Sequence, residues 1–130
     1  MKLVFGKLNS NYEPMAVSWF FEEKNISLDF SVEISAIYSE KLEQVVVELY
    51  DLGKLYFYSV DGTLNCEVGI PKLPKYQYRG LNKNNKSKSG ICILFHPIDE
   101  SVGNEWRDTE QYEMVMGIPI VVGDKLDIYR

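Results

Sequence analysis

Histidine occurs once, at His96, and cysteine twice, at Cys66 and Cys92. Three ligating residues without a C-x-x-C pair fall short of the four that a structural zinc needs, so no metal is expected. Two cysteines do not make a disulfide framework. On a strand, Cys92 and His96 stand about 13 Å apart, beyond the reach of a nucleophile and its base. The phosphate-cradling patterns G-x-x-x-x-G-K-[ST] and G-x-G-x-x-G are missing as well. The adjacent acids Glu22-Glu23 and Asp99-Glu100 would point to opposite faces of a strand. Neither enzymatic activity nor a cofactor is expected from these residues.

Long apolar runs are also lacking. None approaches the roughly 18 residues of a membrane-spanning helix. The N-terminal "MKLVFGKLNSNY" has three apolar residues between Lys2 and Gly6, far from the roughly 7–15 of a signal peptide. A cytoplasmic location with reduced cysteines is the expectation, and no membrane partner.

Aromatics, by contrast, are plentiful: nine Tyr, six Phe and two Trp in 130 residues. Aromatic and β-branched side chains suit pleated, half-buried surfaces. A chain of this length is expected to form one globular domain, 1–130, with a core of its own. The fold class read from these features is mainly β (or α+β), an antiparallel sandwich or curved sheet with at most one or two short helices.

The strongest periodicity is "ISLDFSVEISA", Ile26 to Ala36, where apolar and polar residues alternate strictly. It predicts one long half-buried strand, preceded by a partner strand, Val17 to Glu22, with a turn at Lys24 and Asn25. Asp61-Gly62 between apolar runs predicts a hairpin. Ser39 to Gly53 is ambiguous. Leu42, Val45, Val46, Leu49 and Leu52 fall at helical spacing, while Val45-Val46-Val47 is β-branched and suits a buried strand. Residues 70–90, with prolines, glycines and little apolar periodicity, read as an irregular connection. "ICILFHP" reads as a strand ending at Pro97. The last segment reads as two strands around Gly123-Asp124, with Met114 to Val122 buried on both faces and Pro119 at a bulge or edge.

Charge is segregated along the chain. Residues 1–71 carry five Lys against eleven Asp or Glu, and residues 89–130 three basic residues against eight acids. Between them, residues 72–88 carry six Lys or Arg and no acid. Lys83, Lys86 and Lys88 form the core of this basic patch. Lysines neutralise phosphates, and Tyr76 or Tyr78 could stack on bases. However, "NKNNKSKSG" has no aromatic among its lysines, and the negative remainder repels a polyanion within about 8–10 Å. Nucleic acid is therefore disfavoured, and a mobile, solvated loop is the expectation.

The acids concentrate elsewhere. Asp99, Glu100, Glu105, Asp108, Glu110 and Glu113 surround Trp106 and Tyr112. Carboxylates steer a basic partner and aromatic anchors supply affinity, so these eight residues are the candidate partner-binding surface. A small acidic domain without a catalytic motif suits the role of a decoy for a basic protein such as a nuclease. A β-sandwich binding a small molecule or carbohydrate, with Trp19, Tyr56 or Tyr58 as stacking rings, is the rival reading.

In size, acidity and β-rich, aromatic-heavy texture the chain resembles the immunity proteins of bacterial polymorphic-toxin and contact-dependent growth-inhibition systems. That resemblance covers the whole chain and rests on no signature residue. It implies a cognate toxin as partner and an inhibitor without catalytic activity; the acidic surface, separately, suits a basic nuclease as that toxin.

Overall fold

The computed structural model describes residues 1–98, 109–117 and 119–126. Their architecture is nearly all β, as the composition predicts: eleven strands in three antiparallel sheets, with one 3-10 turn at Tyr50–Leu52. Contacts divide the chain into two compact units, Met1–Gly69 and Ile70–Arg130.

The first unit holds two sheets. Strands β1 (Val4–Gly6), β2 (Ala16–Phe21) and β3 (Lys24–Asp29) form one. Strands β4 (Ser35–Ser39), β5 (Gln44–Leu49), β6 (Lys54–Ser59) and β7 (Leu64–Gly69) form the other, a meander in sequence order. Val17 and Trp19 of β2 meet Val45, Val47 and Leu49 of β5 and Tyr58 of β6 in one buried cluster closed by Ile34. Each such side chain contributes roughly 1.5–3 kcal/mol through burial. The one polar atom of Trp19 is not orphaned there, because its indole Nε1 donates to the carbonyl of Val60 at 2.7 Å. This unit is thus a small sandwich, with period-2 faces turned toward each other.

The long alternating run does not form one strand. β3 ends at Asp29 and β4 begins at Ser35, in the other sheet. The amides of Phe30 and Ile34 donate to the carbonyls of Met15 and Pro14, each at 2.9 Å. Alternation persists through the corner because both sheets face the same core, on which Ile26, Leu28, Phe30, Val32 and Ala36 all pack. The turn before β3 also differs, falling at Glu22-Glu23, which take φ of 49° and 65°. Two successive positive φ values are what a tight hairpin demands, and the tighter closure moves Lys24 and Asn25 into the strand.

Segment 39–52 resolves as the last residue of β4, a turn at 40–43, the strand β5 and the 3-10 turn. Val45, Val46 and Val47 are all buried, so both faces of β5 are covered. The absence of polar alternation is what made its periodicity unreadable. The Asp61-Gly62 hairpin stands as predicted between β6 and β7, with Gly62 alone at φ 92°. A Cβ on Gly62 would sit 2.8 Å from Cγ2 of Ile26.

The second unit is a four-stranded meander: β8 (Tyr76–Lys83), β9 (Ile91–Pro97), β10 (Glu110–Val115) and β11 (Val121–Leu126). The eight-residue β8 replaces the irregular connection expected there. Its register slips between Tyr78 and Gly80, so that Arg79 is an extra residue with no partner opposite. A bulge of this kind shifts the side-chain phase. Tyr76 and Tyr78 before it share a face with Leu81 and Lys83 after it, and simple alternation is lost. At the C-terminal end, Gly123-Asp124 lies inside β11 rather than between two strands, and β10 ends before it at Val115. Gly123 serves close approach: a Cβ there would stand 2.9 Å from Cγ2 of Val115 and 3.0 Å from Cβ of Glu113. Val115, Met116 and Val121 are exposed, so the run from Met114 to Val122 is not buried on both faces, and Pro119 lies between the two strands rather than within one.

Candidate functional site

Of the eight partner-binding residues named from sequence, Asp99, Glu100, Glu105, Trp106 and Asp108 lie outside the described residues. Glu110, Tyr112 and Glu113 are all on β10. Strand alternation sends Glu110 and Tyr112 to one face and Glu113 to the other. The structure therefore divides them into two different environments.

On the first face, Glu110 stands opposite Phe95 and Tyr112 opposite Ile93. Tyr78 also pairs with Phe95, and Tyr76 with Pro97. Four rings gather here. Phe95 lies 5.8 Å from Tyr112, 6.4 Å from Tyr76 and 6.2 Å from Tyr78, and Tyr76 lies 6.0 Å from Tyr112. All four contacts are edge-to-face, the arrangement ring quadrupoles favour. Phe95 is fully buried, whereas Tyr76, Tyr78 and Tyr112 are half-buried.

Glu110 sits at the polar end of this cluster. Its Oε1 accepts the Tyr112 hydroxyl at 2.7 Å and the Tyr76 hydroxyl at 3.3 Å, and pairs with Lys125 Nζ at 3.4 Å. Lys125 comes from β11, directly opposite Tyr112. Burial alone would raise the Glu110 carboxyl. The Tyr112 hydroxyl, the Lys125 ammonium and the Tyr76 hydroxyl outweigh it and hold the group below the usual carboxylate range. Tyr112 is pushed up, first by burial and then by its hydrogen bond to Glu110, so its phenol stays a donor. The arrangement is an ionised carboxylate with a tyrosine rim.

On the second face, Glu113 turns inward. Its Oε1 accepts from the hydroxyls of Ser87 and Ser89 at 2.9 and 3.1 Å and from the Ser89 amide at 3.2 Å. Its Oε2 accepts from the Lys88 amide at 3.0 Å. Burial would raise this carboxyl as well, and the Ser87, Ser89 and Lys88 donors hold it below its usual range. The carboxylate offered in sequence as a partner contact is thus engaged within the chain.

The same contacts revise the picture of "NKNNKSKSG". Ser87 and Ser89 are buried. Asn84 accepts from the Lys86 amide through its side chain and from the Ser87 amide through its carbonyl, and its own side-chain amide donates to Gln111. The loop is a built turn seated on β10. Lys83, Lys86 and Lys88 of the basic patch are exposed.

Cys92 and His96 share a strand face, as predicted, and both are buried. The thiol donates to Gln111 Oε1 at 3.1 Å and is pushed up to about 11, first of all by burial. A thiol in that state is inert as a nucleophile at neutral pH. Among the described residues His96 Nε2 is buried without a hydrogen-bond partner. Among the described residues no group of His, Cys, Asp or Glu is placed to hold a metal ion. Both cysteines are free.

Trp19 and Tyr58, offered as stacking rings, are core residues at 1% and 7% exposure, and Tyr56 packs on Phe30. Charge divides with the units. Met1–Gly69 contains five Lys and eleven Asp or Glu, and Ile70–Arg130 nine Lys or Arg and eight Asp or Glu.

Sequence reasoning named Glu110 and Tyr112 and missed Lys125, Ser87 and Ser89. Lys125 is reached only through the register of β10 with β11. The serines had a signal in retrospect: small hydroxyls between lysines are the residues of a turn that can bury. No helix among the described residues is long and apolar enough to cross a membrane. Comparison of the chain with family models, with curated proteins and with solved structures gives no match.

Proposed function

We propose that this chain is a non-enzymatic inhibitor that binds and neutralises a basic protein toxin, with a nuclease as the best-fitting kind. The observation that carries the reading is Glu110 within its tyrosine rim, continuing the acid-rich run that begins at Asp99. A half-buried, ionised carboxylate beside Tyr76 and Tyr112 combines the two components of a protein-binding hot spot, charge that steers and rings that anchor. The acidity of the first unit adds long-range attraction for a basic protein. A cytoplasmic setting fits this role and the two free thiols.

The test is growth rescue. Cells expressing a toxin domain encoded in the adjoining reading frame should survive when this chain is co-expressed and die when it is not. An adjoining frame without a toxin domain, or a toxin that kills equally in both cases, would end the proposal.

A further inference from the structure

Glu110 is used asymmetrically. The hydroxyls of Tyr112 and Tyr76 and the ammonium of Lys125 all converge on Oε1. Among the described residues Oε2 makes no hydrogen bond or ion pair. The Glu110 side chain retains 22% exposure, and Lys125 beside it retains 61%. One oxygen thus fixes the carboxylate in place, and among the described residues the other is left unshared on a partly exposed side chain.

We propose that Glu110 Oε2, on the carboxylate that the Tyr76 and Tyr112 hydroxyls hold through Oε1, seats an arginine side chain of a basic partner; this deepens the inhibitor reading and rests on it. The chemistry selects arginine over lysine. A guanidinium is planar, offers several N–H donors and stacks on an aromatic face while it bonds a carboxylate edge. An ammonium is a point charge that keeps its hydration and gains little from a ring. Lys125 already supplies such a point charge at Oε1, and a second ammonium would repel it as strongly as a guanidinium without the compensating stack. Preorganisation adds to the effect, because the carboxylate is ionised and oriented before the partner arrives.

The probe is the peptide acetyl-Gly-Arg-Gly-amide, titrated into the full chain and followed by the amide and side-chain resonances of Tyr76, Glu110 and Tyr112. Saturable shifts are expected at these residues. They should weaken at least tenfold in Glu110→Gln and persist in Lys125→Ala. The peptides carrying lysine or uncharged citrulline instead of arginine should bind at least severalfold more weakly. Glu110→Asp, which keeps the charge and withdraws the carboxylate, guards against a Gln variant that fails to fold and should also weaken binding. Shifts that do not saturate, equal binding by Glu110→Gln, or equal binding of the lysine or citrulline peptide would overturn the assignment. Against a toxin partner the two readings separate. Unchanged affinity of Glu110→Gln sinks the arginine seat alone, whereas no binding by the unaltered chain sinks the inhibitor reading.

Discussion

The carboxylate of Glu113 and the hydroxyl of Ser87 meet at 2.9 Å across 26 residues of sequence. Their contact ties the β8–β9 loop to β10, with the Lys88 and Ser89 amides completing the cradle. A carboxylate of low exposure with four donors is worth more than a surface pair, since charged hydrogen bonds contribute about 1.5–3 kcal/mol each before desolvation. Glu113→Ala is expected to destabilise the chain by about 2–3 kcal/mol, because it leaves the Lys88 and Ser89 amides without their acceptor and the Ser87 and Ser89 hydroxyls to share the Ile91 carbonyl. Hydrogen exchange is the measurement. The Lys88 and Ser89 amides should exchange much faster in the variant, while those in the centre of β5 stay protected.

The same group makes stability depend on acid. Its folded value lies below the ordinary 4.5, so between the two values the unfolded chain binds a proton that the folded chain does not. Acid therefore favours unfolding in that window. The contribution is complete above the ordinary value and disappears as the pH falls through the lower, folded one. Glu110 acts with the same sign. Glu33 is shifted the other way by its hydrogen bond to Glu13, but its exposure leaves it little weight. Urea midpoints measured from neutral pH downward should fall below the ordinary carboxylate range in the native chain. In Glu113→Gln the fall should be visibly shallower.

Trp19 joins the two sheets of the first unit and satisfies the Val60 carbonyl with its indole nitrogen. Trp19→Phe removes that donor and part of the ring volume. A loss of about 2–4 kcal/mol is expected from the unsatisfied carbonyl and the residual cavity together, read as a lower urea midpoint with an unchanged slope.

Two glycines give a paired test of close packing. Gly123→Ala forces a methyl against Val115 and Glu113 at about 3 Å and should cost about 1–3 kcal/mol through overpacking. Gly6→Ala meets nothing within 4 Å and should stay within about 0.5 kcal/mol of the native chain. Thermal unfolding of the two variants side by side distinguishes them.

The legible part of this fold was the half that alternates or turns by residue type. Composition showed the β class, Asp61-Gly62 its hairpin, and "ICILFHP" its strand. What hid the rest was phase. The bulge at Arg79 breaks the alternation of β8, and burial of both faces of β5 erases it at Val45-Val46-Val47. From Ile26 to Ala36 the opposite occurred: alternation survived a change of sheet, because a single core lies beneath both strands. The candidate site was legible in its residue types, Glu110 and Tyr112, and not in its partners. Lys125 and Tyr76 arrive through strand register, and no local pattern announces them. Glu113 looked like its neighbour Glu110 in sequence, and one step of strand pleat gave it the opposite role.

An acidic, tyrosine-rimmed surface that binds a basic toxin, as we propose, has a kinetic signature. Association kinetics between the purified chain and the toxin domain encoded beside it, measured across a salt series, test it most directly. Tight binding is expected, with an on-rate that falls steeply with added salt while the off-rate changes little, and a faster off-rate in Tyr112→Ala. No binding at low ionic strength, or binding indifferent to salt and to Tyr112, would contradict it.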